Sequence, residues 1–424
     1  MAGQKKKTCV DLFAGCGGLS LGLEFAGFHP VFVNELNRDA MDSYLMNREE
    51  VARHLRDDDF HCYDVKDIVN KKRADKLDAD LAKTHGLKIA NGDLDLLVGG
   101  PPCQGFSGIG YRRSYSVDKE QLPSNFLYQD MAWLVKRLEP KIFLFENVRG
   151  LLNARWTADG NKGEIWEDVQ QAFHSLKKYR IEPALVFAKN YGVAQNRPRI
   201  LLVGVRNDLS LRAWEREASP IAKGYLPAHT HMGPNLVELL GDLVDPAYVN
   251  GMSATTKYLS APKKGLQTTL RTRRNGKVLG KGADLTEHDY SKHSPRVLAK
   301  FIHMQDNEGE IATAHRTKKF AQRLLPKKWG DEGPTITATS LPDDYVHFSQ
   351  PRILTVREWA RLQGFPDWYR FAGSRTTGGV RRAGNPREGN FDRELPKYTQ
   401  IGNAVPVPLA LEVGKHFMKL LDDQ

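Results

Sequence analysis

The alternation of short apolar runs with longer stretches of helical spacing is the feature that most restricts the fold of this chain. Over about the first 205 residues, the short runs predict buried parallel strands at Thr8–Phe13, Val31–Val33, Leu94–Val98, Ile142–Phe145, Pro183–Phe187 and Ile200–Val205. Helices are predicted between them, as at Leu19–Ala26, Arg38–Asn47 and Ile165–Leu176. This order predicts an open α/β sheet with helices on both faces. Such sheets bind ligands at the carboxyl ends of their strands.

The composition argues against several other classes of protein. Of the 424 residues, 40% are hydrophobic and 27% are charged, which is typical of a globular protein rather than a disordered one. No run of about 18 apolar residues predicts a transmembrane helix, and no apolar stretch behind the N-terminal lysines predicts a secretory signal. The four cysteines form no C-x-x-C pair and no His pair completes a zinc pattern, so we expect no disulfide framework, no metal site and a reducing cytoplasm. The net charge of +11 favours a polyanionic partner.

The second part of the chain has a different character. Between residues 206 and 350 the alternation is lost, which predicts a separate, irregular domain of mixed or mostly β structure. Within it, Lys257–Lys281 carries eight Lys or Arg residues and no Asp or Glu. This stretch is either a solvated face or a surface that contacts phosphates, and composition alone leaves both open. Helical spacing returns at Thr355, and Val407–Leu421 is predicted to be an amphipathic helix.

A glycine turn follows the first predicted strand, in the sequence DLFAGCGG at 11–18. Glycines let the backbone turn tightly and approach a ligand closely, but Ser20 stands where a dinucleotide fingerprint needs its third glycine. Glu35 ends the next strand and is placed to accept hydrogen bonds from ribose hydroxyls. With Phe13 and Leu36 flanking it, an adenosine-type ligand is predicted. Asp64 either meets the adenine amino group or caps a local turn.

Cys103 lies in the most informative stretch, GGPPCQGFS at 99–107, directly after a predicted strand end. A rigid Pro-Pro step presents this cysteine at the expected ligand crevice. The other cysteines, Cys9, Cys16 and Cys62, are predicted to be small buried core residues. The basic, glycine-containing segment that follows Cys103 suggests a mobile lid.

Two further motifs place polar groups at strand ends. Glu146 follows an apolar run in the motif ENV at 146–148, which makes it a candidate general acid. Arg197 and Arg199 lie in QNRPR at 195–199, beside the last predicted strand of the sheet. Their forked donors suit a planar, electron-rich group.

Taken together, these motifs resemble those of the DNA (cytosine-5)-methyltransferases, and the resemblance covers the whole chain in the common unpermuted order. The family's motifs are matched by DLFAGCGG at 11–18, GGPPCQGFS at 99–107, ENV at 146–148 and QNRPR at 195–199, then by RLQGFPD at 361–367 and QIGNAVP at 400–406. The region between QNRPR and RLQGFPD is where the family keeps its variable target-recognition domain. The segment 374–398 is longer than the corresponding connection usual in the family. It is either a surface insertion that touches DNA or a disordered loop.

The resemblance implies a Rossmann-like sheet that binds S-adenosylmethionine, with a smaller, irregular target-recognition domain. It implies a catalytic domain at 1–205, a target-recognition domain at 206–394 and a segment at 395–424 that returns to the first. The expected cofactor-binding residues are Phe13, Gly15, Gly17, Gly18, Leu19, Glu35, Leu36, Asp64, Val65, Pro102, Asn403 and Val405. The expected DNA-binding residues are Gln104, Ser107, Arg112, Lys263, Lys264, Arg271, Arg273 and Arg274, with 315–319 as a further candidate.

The implied reaction is methyl transfer to carbon 5 of a cytosine flipped out of double-stranded DNA. Cys103 attacks carbon 6, Glu146 donates a proton to the ring, and Arg199 stabilises the ring carbonyl oxygen with Arg197 nearby or supporting the loop. Proteins of this length resemble the bacterial modification partners of restriction endonucleases. We therefore expect a cytoplasmic monomer that protects DNA from a cognate endonuclease without contacting it.

Two alternatives remain open on the sequence, and a third is excluded by it. Some relatives in the family methylate tRNA, although the large region at 206–350 suits readout of duplex DNA. A catalytically silent DNA-binding regulator would have the same fold, but Cys103, Glu146 and Arg199 are all present. A nicotinamide-dependent dehydrogenase fails on the glycine spacing and leaves the Pro-Pro-Cys step unexplained.

Overall fold

The computed structural model describes residues 6–102, 123–157, 159–217, 219–316, 322–327, 335–336, 344–376 and 394–424. Backbone contacts divide the chain into two compact units. Unit 1 comprises Met1–Tyr191, Pro198–His231 and Val407–Gln424, and unit 2 comprises Gly192–Arg197 and Met232–Pro406. The functional domain boundaries after residues 205 and 394 stay predictions.

A seven-stranded sheet forms the centre of unit 1. Its strands are β1 (Lys7–Leu12), β2 (Phe28–Asn34), β3 (His61–Cys62), β4 (Leu96–Gly99), β5 (Ile142–Val148), β6 (Tyr179–Phe187) and β7 (Pro198–Arg206), in the spatial order β3-β2-β1-β4-β5-β7-β6. The order reverses between β1 and β4, which is the switch point where open α/β sheets bind ligands. The predicted α/β class is confirmed.

The direction of β7 differs from the prediction. The strands from β3 to β5 pair in parallel, but β7 is antiparallel to both β5 and β6. The physical reason is the connection 188–197, whose regular structure is one 3-10 turn at Ala188–Asn190. A parallel return needs a crossover of a dozen or more residues, usually a helix. The chain therefore turns back and inserts β7 between β5 and β6.

The helices follow the predicted alternation through unit 1 and continue into unit 2. They are α1 (Gly18–Ala26), α2 (Arg38–Met46), α3 (Lys71–His85), α4 (Leu127–Leu138), α5 (Glu164–His174), α6 (Arg212–Glu215), α7 (Leu236–Leu240), α8 (Leu266–Arg271), α9 (Pro295–Asp306), α10 (Val356–Leu362), α11 (Lys397–Asn403) and α12 (Val407–Asp422). Short 3-10 turns lie at Arg53–Arg56, Val65–Asp67, Ile89–Asn91, Pro123–Phe126, Arg149–Asn153, Ala188–Asn190, Ile221–Gly224, Gly241–Leu243 and Thr313–His315. In the described part of the chain, no helix is both long and apolar enough to cross a membrane.

The last helix, α12, packs closely on α1 within unit 1. A Cβ atom on Gly22 of α1 would lie 2.5 Å from the Ala410 Cβ and 2.5 Å from the Val407 carbonyl oxygen. A Cβ atom on Gly414 of α12 would lie 2.7 Å from the Ala26 Cβ. Since real Cβ atoms do not approach so closely, glycine at both positions is what allows the two helices to touch. The C-terminal segment is thereby fixed beside the glycine turn that begins α1.

Unit 2 is held by buried charge pairs rather than by an extended sheet. Its regular elements in the described residues are α7–α11 and the parallel pair β8 (Arg323–Leu324) and β9 (Tyr345–Val346), so it is mixed rather than mostly β. Arg361 of α10 contacts Asp242 at 2.5 Å and Asp367 at 2.5 Å, with its side chain fully buried. Arg352 donates from both terminal nitrogens to the Glu358 carboxylate, at 2.7 Å each. Such pairs fix irregular segments because removing one partner leaves the other charge uncompensated.

Candidate active site

The glycine turn after β1 adopts backbone angles that favour glycine. Phe13, Gly15 and Gly17 have φ values of 55°, 56° and 86°. The strained Phe13 is held because its N–H donates to the Asn34 Oδ1 at 3.3 Å. A Cβ atom on Gly15 would meet no described atom within 4 Å beyond its chain neighbours. The turn therefore leaves backbone open to a ligand at the carboxyl end of β1.

Glu35, just past the end of β2, is tied to this turn. Its carboxylate accepts hydrogen bonds from the Gly15 N–H at 2.8 Å and the Asn37 N–H at 2.8 Å. Burial raises the pKa of Glu35, and the two backbone hydrogen bonds oppose that rise. Leu36 beside it is 71% exposed, which is unusual for so large an apolar side chain. The pair presents a fixed carboxylate next to a free apolar surface.

The remaining cofactor candidates of unit 1 occupy two kinds of position. Gly18, Leu19 and Val65 are buried in the core, whereas Asp64 and Pro102 are exposed. The Asp64 Oδ1 accepts a hydrogen bond from the Lys66 N–H at 2.9 Å, so the capping role left open by the sequence is present. An exposed carboxylate retains acceptor sites beyond that one hydrogen bond.

Glu146 and Arg199 form a buried ion pair across neighbouring strands. Glu146 lies on β5, Arg199 lies near the start of the adjacent β7, and the Arg199 Nε is 2.6 Å from the Glu146 Oε1. Burial lowers the pKa of Arg199, and the charge of Glu146 opposes that change. On the other side of the carboxylate, a Cβ atom on Gly100 would lie 2.9 Å from the Glu146 Oε2. Glycine at position 100 thus lets the segment after β4 pass directly against Glu146.

Asn147 also holds the segment that follows β4, and the sequence analysis did not single it out. Its side chain is buried and donates to the carbonyl oxygen of Pro101 at 3.1 Å. Pro101 begins the Pro-Pro step that leads to Cys103. The position of Asn147 in the motif ENV, next to Glu146, is the signal that could have identified it. The predicted residues Cys103, Gln104, Ser107 and Arg112 lie outside the described residues.

The other cysteines occupy the core, as predicted. Cys9, Cys16 and Cys62 are buried. Burial raises the pKa of Cys16 to about 12 and that of Cys62 to about 12. These groups stay thiols at neutral pH, and a thiol is a poor nucleophile.

Arg48 supports the glycine turn and had no signal in the sequence. Its buried guanidinium donates to the Gly17 carbonyl oxygen at 3.2 Å, pairs with Glu24 at 2.6 Å and stacks over the Tyr44 ring. The contact with Gly17 reaches 31 positions back along the chain. A link of this kind becomes visible only in the folded sheet.

Arg197 contributes to unit 2, unlike its neighbour in the motif, Arg199. It is buried, and it donates to the carbonyl oxygens of Gly402 at 2.6 Å and Ala404 at 3.0 Å, and also to that of Ile336. Cations favour the C-terminal end of a helix, and these contacts cap α11. Arg197 therefore lies where it supports a loop, one of the two roles predicted for it. The cofactor candidates that follow Gly402 are Asn403, which is exposed, and Val405, which is partly buried.

An amide network in unit 2, also missed, joins three of the motifs. The Gln195 side chain donates to the Leu362 carbonyl oxygen at 2.8 Å and to the Gln363 Oε1 at 2.9 Å. The Gln363 side chain in turn donates to the Ile401 carbonyl oxygen at 2.7 Å. The glutamines of QNRPR and RLQGFPD thus hold α10 and α11 together, and their role is positional.

The predicted DNA contacts separate into exposed and buried groups. Lys263, Lys264 and Arg273 are exposed, and Arg274 lies over the Trp368 ring at 4.8 Å. Arg271 is placed differently from the prediction. It is fully buried, pairs with Asp242 at 2.6 Å and is engaged in the core of unit 2, so it does not face a phosphate. Residues 317–319 and 377–393 lie outside the described part of the chain.

Comparisons with known proteins agree with this geometry. The model of the family described as C-5 cytosine-specific DNA methylase matches residues 7–419. The Type II methyltransferase M.DdeI of Desulfomicrobium norvegicum is 29% identical over 95% of this chain and 86% of its own length. M.XorII of Xanthomonas oryzae pv. oryzae, also a Type II methyltransferase, is 30% identical over 97% of this chain and 84% of its own length.

A solved structure supports the fold. It is a protein described as a DNA modification methyltransferase encoded within a prophage (E. coli), with a TM-score of 0.64, 23% sequence identity, and coverage of 98% of this chain and 99% of that chain. The expected methyltransferase sheet with its smaller second region is therefore confirmed. The chain belongs to the C-5 cytosine-specific DNA methylase family, and the prediction that it is a DNA (cytosine-5)-methyltransferase is confirmed.

Proposed function

We propose that this enzyme transfers a methyl group from S-adenosylmethionine to carbon 5 of a cytosine flipped out of a specific short sequence in double-stranded DNA, through a covalent adduct with Cys103. The observation that carries the proposal is the ion pair between Glu146 and Arg199, against which the backbone of Gly100 passes. Gly100 belongs to the motif that contains Cys103. The proposed general acid and the cationic donor therefore lie beside the segment that leads, in the sequence, to the proposed nucleophile.

The residues around the glycine turn suit S-adenosylmethionine. The open space at Gly15 gives room for close backbone approach, the Glu35 carboxylate can accept from ribose hydroxyls, and the exposed Leu36 offers an apolar contact for adenine. Asp64 retains acceptor sites for the adenine amino group. When bound, this cofactor supplies an electrophilic methyl group.

The Glu146–Arg199 pair matches the polar edge of cytosine. Cytosine presents an amino donor, the ring acceptor N3 and the carbonyl acceptor O2. The Glu146 carboxyl can accept from the amino group and donate to N3 when protonated, while Arg199 donates to O2. Entry of the base therefore exchanges one charge-assisted contact for a set of contacts with the ring. Since the pair is nearly buried, those contacts form with little competition from water.

The proposed reaction begins with attack of Cys103 on the cytosine ring and ends with release of the same thiolate. The Cys103 thiolate forms a bond to carbon 6, the ring electrons move toward N3, and N3 takes a proton from Glu146. Carbon 5, now enamine-like, would take the methyl group as the bond from that group to the cofactor's sulfur breaks, and a neutral thioether would leave. The carbon 5 proton then leaves to water, the bond between sulfur and carbon 6 breaks, and N3 returns its proton to Glu146. The enzyme is regenerated with a free Cys103 thiolate.

Base flipping is required because a cysteine cannot reach carbon 6 inside a stacked duplex, and extrusion costs a few kcal/mol. We assign part of the free energy that offsets this cost to contacts between the DNA phosphate backbone and the exposed side chains of Lys263, Lys264 and Arg273. Gln104, Ser107 and Arg112 remain the candidates for contacts beside the flipped base. Arg197 acts as a positioning residue through its hold on 402–404.

The cellular role we propose is DNA modification that protects against a cognate restriction endonuclease acting on the same site. The support is similarity along most of the length of relatives named Type II methyltransferases. We further propose a cytoplasmic monomer, since one base-flipping site needs one copy of the chain.

The first test is base-resolution methylation sequencing of DNA from a methylation-free bacterial host that expresses this chain, beside a Cys103→Ala variant. We expect methylated cytosines in one short context, absent with the variant. Unmethylated DNA from soluble, folded protein would overturn the proposal. Methyl transfer to tRNA would then identify the other substrate, and duplex binding without transfer would identify a silent binder.

A second test addresses the covalent step. In a duplex whose target carbon carries fluorine, the final loss of a proton from carbon 5 is blocked, so the adduct should persist through denaturing electrophoresis. We expect such a complex with wild-type protein and none with Cys103→Ser. Glu146→Gln should slow adduct formation about 100-fold or more. Rapid turnover by Cys103→Ser would refute covalent catalysis.

A further inference from the structure

Three histidines that lie far apart in the sequence come together in unit 1. His29 lies on β2, His54 lies in the 3-10 turn Arg53–Arg56, and His85 is the last residue of α3. One ring nitrogen from each lies within 4.8 Å of the others. The ring centroids of His54 and His85 are 4.4 Å apart, and His29 lies 5.4 Å and 6.1 Å from them. Their spacing along the chain matches no ligand pattern, which is why the sequence predicted no metal site.

Two of these rings carry a buried nitrogen that has no hydrogen-bond partner among the described residues. They are the Nε2 atoms of His54 and His85, in a structure where most buried polar atoms are paired. The unprotonated nitrogen of a neutral imidazole is an acceptor and a metal ligand. Two unpartnered ring nitrogens in one cluster therefore point to a ligand that would satisfy them.

The rings are held in their neutral form. Burial, and after it the neighbouring His85 and His29, lower the pKa of His54 to about 4. Burial also lowers the pKa of His29 and of His85. Lys6 lowers that of His29 as well, while Glu24 opposes this change. These shifts favour the neutral imidazole, which is the form that binds a metal ion.

We propose that His29, His54 and His85 bind one divalent transition-metal ion of the zinc type, with water at the fourth position. Neutral imidazoles suit zinc, copper and nickel, and all three residues are only partly buried. Zinc–nitrogen bonds of about 2.0–2.1 Å place tetrahedral ligands roughly 3.4 Å apart, so small ring rotations complete the site. The C-terminal end of α3 at His85 also favours a cation.

Such an ion joins β2, the Arg53–Arg56 turn and α3, and its role is structural. His29 lies near the start of β2, whereas Glu35 follows the end of that strand. The proposal is therefore independent of the methyl-transfer chemistry. It concerns the rigidity of the part of unit 1 that carries β2.

The test uses the full chain without an affinity tag, stripped with a chelator and titrated with Co²⁺ followed by Zn²⁺. We expect one Co²⁺ per chain, visible absorption bands of a four-coordinate site, and displacement by Zn²⁺. At a hundredfold excess over the dissociation constant, bound Zn²⁺ should raise the Tm of the full chain by about 3 °C. Absence of stoichiometric binding would overturn the proposal and leave the three rings as packing residues.

Matched variants locate the site. His54→Gln and His85→Gln should each weaken Co²⁺ binding at least ~10-fold, which is the loss expected even for a group that only orients a ligand. His174→Gln is the control, because His174 lies exposed at the end of α5 and outside the cluster. Circular dichroism of the metal-free variants reports whether each one folds. Unchanged affinity in both folded cluster variants would refute the assignment.

Discussion

Replacing Gly100 with alanine tests whether the position of Glu146 depends on the missing side chain. The new Cβ atom would lie 2.9 Å from the Glu146 Oε2, where ordinary contact begins at 3.4 Å, so the carboxylate must move by about 0.5 Å. It cannot move without disturbing the Arg199 Nε, 2.6 Å from its other oxygen. A displacement of 1 Å in a catalytic group can cost about 100-fold in rate, so about 10-fold is expected here. That loss corresponds to roughly 1.4 kcal/mol in the barrier.

The assay is single-turnover methyl transfer to a duplex that carries the target sequence, with Tm measured on the same protein. Gly99→Ala is the matched control, because a Cβ atom there would lie 3.0 Å from the Met131 Sδ and 3.3 Å from the Leu12 Cβ, not near Glu146. We expect Gly99→Ala to lower the Tm and Gly100→Ala to lower the rate. If Gly100→Ala reacts at the wild-type rate while Glu146→Gln is slow, the reasoning from close packing is wrong.

Three other predictions follow from burial. Arg271→Ala should destabilise the protein by about 1–3 kcal/mol, since a fully buried side chain loses its contacts while Asp242 keeps its other partner, Arg361. Lys263→Ala should leave denaturation midpoints unchanged and reduce the salt dependence of DNA binding. The reverse pattern would contradict the placement of Arg271. Gly22→Ala should lower the Tm by several degrees, because α1 and α12 must move apart to make room for the new Cβ atom. Gly280→Ala is the control and should not lower the Tm, because there is open space at the position of its Cβ atom. Equal Tm values for the two variants would count against the close contact between the helices. Burial lowers the pKa of both His54 and His288 to about 4. As the pH drops, the unfolded chain therefore binds protons at these histidines before the folded chain does, and the free energy of unfolding should fall between about pH 6.5 and pH 4. Urea midpoints that stay level across this range would argue against this prediction.

The sequence identified the groups at the strand ends because their chemistry is local. A glycine turn, an acidic residue after the second strand and a Pro-Pro-Cys step each follow an apolar run, so they could be assigned to one edge of a sheet before any coordinates. The burial of Cys9, Cys16 and Cys62 was predicted because most such cysteines are small core residues. The predicted direction of β7 was wrong, because a buried strand has the same apolar pattern whether it runs parallel or antiparallel to its neighbours.

Contacts between distant segments could not be predicted in the same way. Arg271 stands in a run of basic residues, and only the fold shows that it turns inward to Asp242 rather than outward to solvent. Arg197 and Arg199 are two residues apart, yet one caps α11 and the other pairs with Glu146. His29, His54 and His85 form no pattern along the chain and meet only because β2, a short turn and α3 pack together. Residue types and strand ends thus determined the chemistry available to this enzyme. Tertiary packing decided which charges are buried as partners and which stay exposed, because burial depends on neighbours that the local sequence does not specify.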